Sequence, residues 1–178
     1  MARKNSTSSL SPTGLAAEIG KRRPYDVPEV EVFLNILRTC SLLTAETGRF
    51  LKQYGLTEAQ YNALRILRGH GDAGIASQTI GEQLVAQVPD VTRLVDRLVE
   101  ADLAERDRTS ADRRVVTVRI TKGGLDLLAK IDRPLVDLHR EQLGHLAKAE
   151  MKTLNVLLVK ARRRAEPDGD GDVGKRCP

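Results

Sequence analysis

One amphipathic segment, residues 89–98, constrains the fold of this chain more than any other part of the sequence. Its apolar residues recur at the i, i+3, i+4, i+7 spacing that places side chains on one helix face, and they are Val91, Leu94, Val95 and Leu98. The opposite face carries Asp90, Arg93 and Arg97. We therefore predict a helix that packs through one face and offers hydrogen-bonding groups on the other.

A shorter helix is predicted just upstream, over residues 77–84, with Ser77 as its N-cap and with Ile80 and Leu84 on its buried side. A short turn separates the two helices. Pro89 suits the first turn of the second helix, because its missing N–H would have no helical partner there. The pair predicts a helix-turn-helix, in which the second helix offers its N-terminal residues to the major groove of DNA.

Two segments with strand-forming residues follow these helices, residues 103–106 and 115–120, and the second has apolar residues at period two. We predict that they form a β-hairpin. The hairpin loop, residues 108–114, is polar and rich in arginine, which suits contact with a phosphate backbone or a minor groove. A helix-turn-helix followed by such a hairpin is a winged helix, and residues 75–76 are predicted to add a short edge strand.

Long apolar stripes flank this unit. A helix is predicted from about Pro28 to Gly55, and one of its faces carries Phe33, Ile36, Leu37, Cys40, Leu43, Thr47, Phe50, Leu51 and Tyr54. Two more helices follow the hairpin. Together the three hold more apolar surface than a winged helix of this size can bury, which predicts a homodimer, with a monomer containing a closed helical subdomain as the alternative.

Several residues mark where these flanking helices begin or bend. Thr57 and Gln60 form a capping box that starts the helix ahead of the edge strand. Thr121 is placed to cap the helix after the hairpin, and Pro134 is expected to kink or interrupt that helix. Ala147 occupies the cap position of the last helix, where Glu150 lacks a hydroxyl partner.

The expected fold class is therefore mainly α with a small β-hairpin wing, a winged helix-turn-helix with terminal dimerisation helices. The predicted regions are a flexible basic arm over residues 1–27, a dimerisation helix over 28–55, a DNA-binding domain over 56–124, C-terminal dimerisation helices over 125–165, and a disordered tail over 166–178.

Charge and composition limit the function. The formal net charge is +5, and the basic residues cluster in the N-terminal tail, around the hairpin and at residues 162–164, which suits a polyanionic partner or a merely solvated surface. No apolar run reaches the roughly 18 residues needed to cross a bilayer, and no apolar signal region opens the chain. We expect a cytoplasmic protein, located at the nucleoid and without membrane contact.

No pattern in the sequence predicts a metal, a cofactor or an enzyme. His139 and His145 are six residues apart and do not share a helix face. No nucleophile motif, phosphate-cradling loop or catalytic carboxylate pair is present. The two cysteines, Cys40 and Cys177, are too few for a disulfide framework, and Cys40 is expected to be a buried structural thiol.

Four of these segments together resemble the winged-helix motif of the MarR family of bacterial transcription regulators: residues 92–98 (TRLVDRL), 103–106 (LAER), 112–114 (DRR) and 120–124 (ITKGG). The likeness extends over roughly residues 30–164. The chain departs from the family pattern at Asp102, where a glycine usually ends the recognition helix, and at Val85 and Gly81, where glycine and alanine are common.

The resemblance implies a regulator, expected to be a repressor, that binds a pseudo-palindromic operator in double-stranded DNA as a homodimer and is released by a small lipophilic or phenolic effector. The DNA-contact candidates are Thr79, Gln87, Pro89, Asp90, Thr92, Arg93, Arg97, Asp112, Arg113 and Arg114. Among these, Asp112 and Arg114 match the family's wing pair, in which the acid orients an arginine. A solvated helix face and an ordinary charged hairpin tip are the alternatives for these residues.

Relatives hold their effectors between the winged helix and the dimer helices. The residues that would line such a crevice here are Tyr25, Phe33, Phe50, Tyr61 and His70, with core packing as the alternative for each. Two other functions stay open: a winged helix that binds proteins and not DNA, and a regulator that senses oxidants through a cysteine.

Overall fold

The computed structural model describes residues 14–107 and 117–163. The helices are α1 (Leu15–Glu18), α2 (Pro28–Lys52), α3 (Glu58–His70), α4 (Ser77–Gln83), α5 (Val91–Glu100), α6 (Lys122–Leu143) and α7 (Lys148–Arg162). The strands are β1 (Ile75–Ala76), β2 (Ala104–Asp107) and β3 (Thr117–Ile120), and a short 3-10 helix, Gly71–Ala73, precedes β1. The chain divides into two compact units, Met1–Val136 and Asp137–Pro178.

The predicted fold class is confirmed: the chain is mainly helical and its three strands form one small antiparallel sheet in the order β1-β3-β2. In β2 and β3, Ala104 lies opposite Ile120 and Asp107 opposite Thr117, so the two strands form the predicted hairpin. The short strand β1 pairs with the other side of β3, as predicted for an edge strand. Residues 108–116, which include the predicted hairpin loop, lie outside the described residues.

The core of the first unit forms where α3, α4 and α5 pack together and where α3 meets β3. Side chains without solvent exposure come from each of these elements and from α6, and they include Leu64, Leu67, Ile80, Val95, Leu98, Val118, Leu128 and Ile131. Each buried leucine, isoleucine or valine contributes roughly 1.5–3 kcal/mol relative to exposure. The predicted apolar face of α5 is confirmed for Leu94, Val95 and Leu98, which are all buried, whereas Val91 at the start of the helix is half-buried.

The ends of the two helix-turn-helix helices differ from the predictions. Ala76, not Ser77, is the N-cap of α4, and no side chain caps that helix, because Ser77 is already its first helical residue. Helix α5 begins at Val91, so Pro89 lies before the helix and not in its first turn. The reason is Asp90, whose Oδ1 accepts the Arg93 N–H at 2.8 Å and thereby fixes Asp90 as the N-cap.

A tight turn connects α5 to β2. Among the described residues Asp102 is the one non-glycine with positive φ, at 56°, in the position where the family pattern has glycine. The Leu103 N–H donates to the Leu98 carbonyl at 2.9 Å, and the Thr121 hydroxyl donates to the Asp102 carbonyl at 2.6 Å. These bonds hold the aspartate in the left-handed conformation, so the missing glycine is tolerated.

Two glycines, Gly81 and Gly124, permit close packing between elements. A Cβ on Gly81 of α4 would lie 2.9 Å from a methyl carbon of Val91 on α5, so this glycine sets how closely the two helices approach. A Cβ on Gly124 would collide with the Leu103 carbonyl and with Ile120, which places the start of α6 directly against the hairpin.

The predicted start signals of α3 and α6 are confirmed. Thr57 accepts the Gln60 N–H at 3.2 Å while the Gln60 side chain accepts the Thr57 N–H at 2.9 Å, which completes the capping box. The Thr121 hydroxyl accepts the Gly124 N–H at 3.1 Å. Helix α6 continues to Leu143 with Pro134 inside it, so the proline does not end the helix. Because Pro134 has no N–H, one bond is missing from the backbone ladder of α6, as predicted, and the alternative of a kink stays a prediction.

Most of the predicted apolar face of α2 is left exposed by residues 14–107 and 117–163. Leu51 is the buried residue of this helix, whereas Phe33 is 64% and Leu37 is 56% exposed. Cys40 on the same helix is also exposed, so the expectation of a buried thiol was wrong for the single chain. In the second unit, α7 exposes Leu154, Val156, Leu157 and Val159. Ala147 gives this helix no side-chain cap, although Glu150 accepts the Ala147 N–H at 2.8 Å.

One ion pair joins α3 to α6. The Arg68 guanidinium contacts both carboxylate oxygens of Asp132, with Nη1 to Oδ2 at 2.6 Å and Nη2 to Oδ1 at 3.1 Å. This hydrogen bonding lowers the pKa of Asp132 below its usual range and raises the pKa of Arg68. A carboxyl with a lowered pKa stabilises the fold above its unfolded-state pKa, and that contribution is lost as the pH falls through the folded-state value.

We therefore expect Asp132→Asn to lower the thermal midpoint at neutral pH by about 2–4 °C, which corresponds to about 1 kcal/mol for a partly exposed pair. The difference from wild type should shrink as the pH falls below about 4. Thermal denaturation followed by circular dichroism across pH gives the result. Asp126→Asn, which breaks the more exposed Lys122–Asp126 pair, is the matched control and should change the midpoint little. Equal effects of the two substitutions at neutral pH would contradict this account.

Candidate nucleic-acid interface

The face of α5 opposite its buried side is the centre of the candidate interface. Thr92, Arg93 and Arg97 on this face are all exposed. Arg93 and Arg97 are four residues apart, so their side chains follow one another along the helix surface. Within the described part of the chain, neither guanidinium forms an ion pair with a carboxylate. Two free positive charges on an exposed helix face suit an anionic partner.

A shallow groove of about 290 Å³ runs beside the start of α5. It is lined by Thr57, Ala59, Val88, Pro89, Asp90, Arg93, Leu94 and Arg97. The groove thus brings together four of the predicted DNA-contact residues, Pro89, Asp90, Arg93 and Arg97. It also includes the start of α3, which the sequence did not predict as part of the interface. The capping box at Thr57 marked that helix start, but nothing in the sequence placed it beside α5.

Two further helix-turn-helix candidates, Thr79 and Gln87, do not line this groove. Gln87 is exposed in the turn between α4 and α5, and Thr79 is half-buried on α4. The turn is held by a hydrogen bond at 2.9 Å from the Val85 N–H to the Asn62 side chain on α3. The Val85 side chain itself is 90% exposed. Asp90 has a structural role as the helix cap, so its carboxylate is already engaged with the Arg93 N–H.

Two ion pairs at the base of the hairpin were also missed by sequence reasoning. Arg106 on β2 contacts Asp96 on α5, with Nη1 to Oδ1 at 2.5 Å. Arg119 on β3 contacts Asp107 on β2 at 2.9 Å. Both pairs join residues that are ten or more positions apart, and no local pattern indicates such partners. The wing candidates Asp112, Arg113 and Arg114 lie outside the described residues, so their roles stay predictions.

The five aromatic and histidine residues proposed for an effector crevice have separate environments. Tyr25 lies under the Lys21 ammonium at 4.5 Å, and the Phe50 and Tyr54 rings are 5.3 Å apart. The Tyr61 hydroxyl accepts a hydrogen bond from Arg65 at 2.9 Å, and His70 contacts Gln83 at 3.2 Å.

Phe33 is mostly exposed on α2. An open apolar groove of about 320 Å³ between α1 and α2 is lined by Leu15, Ile19, Leu34, Leu37, Arg38, Ser41 and Leu42, and includes none of the five. The crevice remains a prediction for these residues.

Over residues 14–107 and 117–163, no three acidic, histidine or cysteine side chains are grouped closely enough to hold a metal ion. Within those ranges, no helix has the length and hydropathy required to span a membrane.

A family model described as the MarR family matches residues 56–116. The chain is similar to the multiple antibiotic resistance protein MarR of Escherichia coli, with 30% identity over 128 residues, which cover 69% of this chain and 88% of that protein. It is also similar to the HTH-type transcriptional repressor IacR of Pseudomonas putida, with 27% identity over 126 residues, which cover 71% and 74% of the two chains.

The fold of this chain is also similar to solved structures of MarR proteins. A mutant MarR from Escherichia coli in complex with operator DNA superimposes with a TM-score of 0.68 at 26% identity, over 85% of this chain and all of that one. A MarR transcription factor from Planctomyces limnophilus superimposes with a TM-score of 0.59 at 37% identity, over 77% of this chain and 99% of that one.

The capping role of Asp90 predicts that Asp90→Ala lowers stability by roughly 0.5–2 kcal/mol, because the Arg93 N–H loses its acceptor. Asp90→Asn keeps a side-chain oxygen at the same place and should retain most of the stability. Urea denaturation of the two variants and wild type measures the difference. Equal loss in both variants would show that the side-chain oxygen of residue 90 does not cap α5.

Proposed function

The chain belongs to the MarR family and is a DNA-binding transcription regulator, and from this premise we propose that it represses transcription as a homodimer that a small molecule releases from its operator. The observation that carries the proposal is the two-sided helix α5. Leu94, Val95 and Leu98 on its apolar side are buried, while Thr92, Arg93 and Arg97 face solvent and neither arginine has a carboxylate partner among the described residues.

We infer that this outer face of α5 enters the major groove of double-stranded DNA. An α-helix fits that groove, and an arginine at its surface can donate two hydrogen bonds to guanine or bind a phosphate. The groove beside α5 places Arg93 and Arg97 next to the start of α3. Arginines on the wing loop would add contacts to the neighbouring minor groove, as the family resemblance implies for Arg113 and Arg114.

The homodimer proposal is supported by the uncovered apolar surface. Helix α2 exposes Phe33, Ile36 and Leu37 to solvent, and α7 exposes Leu154 and Leu157. A helix that exposes several large apolar side chains is typical of a protein–protein interface, and each of the two helices does so within its own unit. A two-fold axis through such an interface would hold two recognition helices about 34 Å apart, which matches half-sites one turn of duplex apart.

Release by an effector requires that the effector bind the free state of the dimer more tightly than the DNA-bound state. A shift from mostly bound to mostly free needs a preference of about 10⁴-fold, or roughly 5.5 kcal/mol. The chemical class we propose is a small lipophilic or phenolic compound. Tyr25, Phe33, Phe50, Tyr61 and His70 stay candidates for contact with it.

One alternative function has a specific observation in its favour. Cys40 is exposed on α2, within the apolar surface that we assign to the dimer, so oxidation of this thiol would place a polar group there. Loss of DNA binding after peroxide treatment in wild type, but not in Cys40→Ser, would support a redox-sensing regulator.

A cytoplasmic location follows from the proposed access to the nucleoid.

We predict that Arg93→Ala weakens operator binding by about 1–3 kcal/mol, or roughly 5- to 150-fold in Kd, because an arginine contact to DNA is lost. A mobility-shift titration with a genomic fragment that the purified protein retains measures the effect. Arg133→Ala removes the same charge from the exposed surface of α6 and serves as the matched control. Equal affinities of the two variants would contradict a direct role of Arg93 in DNA binding.

For a dimer that neutralises roughly eight phosphates, the logarithm of the association constant should fall with the logarithm of salt concentration at a slope of about −7. Fluorescence anisotropy at several salt concentrations gives this slope. A slope near zero, or no binding at low salt, would favour the winged helix as a protein-interaction module.

The dimer proposal predicts that light scattering at micromolar concentration gives about twice the mass of one chain. Replacing Leu37 with Glu should convert the protein to a monomer, because a carboxylate would be buried in the interface. Val85→Glu introduces the same group at an exposed position in the α4–α5 turn and should leave the dimer intact. A monomeric wild type would rule out the dimer.

A further inference from the structure

The last two residues of β2 point to opposite faces of the hairpin. Arg106 lies on the same face as buried Ala104 and is paired in register with buried Val118, so its stem continues the core side of the strand. Its guanidinium reaches Asp96 on α5 at 2.5 Å. The Arg106 side chain is about one-quarter exposed and the Asp96 side chain less than half.

Asp107 lies on the other face. Register places Thr117 directly opposite Asp107, so Arg119, two residues further along β3, is its diagonal neighbour on that face. The Arg119 guanidinium contacts the Asp107 carboxylate at 2.9 Å. One ion pair thus holds the hairpin to the recognition helix, and the other holds its two strands together where the wing begins.

The Arg106–Asp96 pair also complements the turn at the other end of β2. There the strand is fixed to α5 by the Leu103 N–H bond to the Leu98 carbonyl at 2.9 Å. With the turn at one end and the ion pair at the other, β2 is attached to α5 at two separated points. Besides the pairing of β2 with β3, these two attachment points fix the direction of the far end of β2 relative to the helix more firmly than the turn alone would.

We propose that Asp96 and Arg106 form a positioning pair that sets the direction in which the wing leaves the sheet, so that the wing and α5 contact one DNA duplex together. This inference rests on the proposed DNA binding. In this proposal Asp96 favours DNA binding, which is opposite to the effect expected from its negative charge. A carboxylate on the recognition helix repels DNA, so electrostatics alone predicts that its removal tightens binding. Positioning predicts that its removal weakens binding.

The probe is a fluorescein-labelled duplex of mixed sequence, about 30 base pairs long, or about three turns. Binding of wild type and Asp96→Asn is measured by anisotropy over a range of salt concentrations. We expect the Kd of Asp96→Asn to rise severalfold. We also expect the magnitude of the salt slope to fall by about 2, because each lost phosphate contact removes about 0.9 and a dimer has two wings.

The matched control is Asp132→Asn, which removes the same group from the Arg68–Asp132 pair, of similar length and exposure, between α3 and α6. It should reduce thermal stability to a similar degree and leave the salt slope unchanged. If the two variants weaken DNA binding equally, the effect of Asp96 is only one of stability and the proposal is overturned.

Reversing the charges of the pair distinguishes an effect on the position of the wing from an effect of net charge on DNA binding. Asp96→Arg alone should reduce the magnitude of the salt slope of DNA binding. Adding Arg106→Asp should return both this slope and the affinity to the wild-type values, although the second substitution removes positive charge. In a background of Arg113→Ala/Arg114→Ala, Asp96→Asn should cause no further loss, because the pair acts through the wing.

Three results would overturn the proposal: Asp96→Asn binding as tightly as wild type at an unchanged slope, failure of the reversed pair to restore binding, or an additive loss in the wing-deficient background. Failure of wild type to bind the duplex at low salt would be a different outcome, because it would remove the proposed DNA-binding function itself and this inference with it.

Discussion

The burial of one face of α5 determines most of what this molecule presents to its surroundings. Leu94, Val95 and Leu98 lie in the core formed with α3, α4 and the sheet. Removing any of them would leave a cavity that costs roughly 2–5 kcal/mol, a large part of the stability of an ordinary domain. Because the helix cannot rotate without exposing these side chains, Arg93 and Arg97 are held outward. The positive charge that α5 presents to a partner is therefore a consequence of the packing of its apolar face.

The hairpin depends on the same helix. Gly124 lets α6 begin directly against the hairpin, and Asp102 adopts a left-handed turn that sends β2 back alongside α5. The ion pair between Asp96 and Arg106 then ties the strand to the helix a second time. The described strands of the hairpin therefore lie against the recognition helix, and the proposed direction of the wing depends on that contact.

The sequence predicted the elements whose causes are local. The spacing of Leu94, Val95 and Leu98 indicated the buried face, and the capping box at Thr57 indicated the start of α3, because both patterns act within one or two helical turns. The starts of α4 and α5 were misplaced by one or two residues. Ser77 was predicted to cap α4 but is its first helical residue, and Asp90 was assigned to the outer face of α5 but is its cap, because residue type alone does not fix the backbone conformation at a helix end.

Contacts between distant parts of the chain were not accessible from the sequence. The pairs Asp96–Arg106 and Arg119–Asp107, and the position of Thr57 beside α5, depend on how the elements pack. Cys40 was expected to be buried because it lies on an apolar helix face, yet the described part of the chain leaves Cys40 exposed. Periodicity identifies an apolar surface, but it does not distinguish burial in the chain's own core from burial against a partner.

The most direct test of the central claim is arginine-specific chemical labelling of the protein, with and without duplex DNA, analysed by mass spectrometry. If the outer face of α5 lies in the major groove, DNA will protect Arg93 and Arg97 from the reagent while Arg133 on α6 stays reactive. Unchanged labelling of Arg93 and Arg97 in the DNA-bound protein would contradict the account.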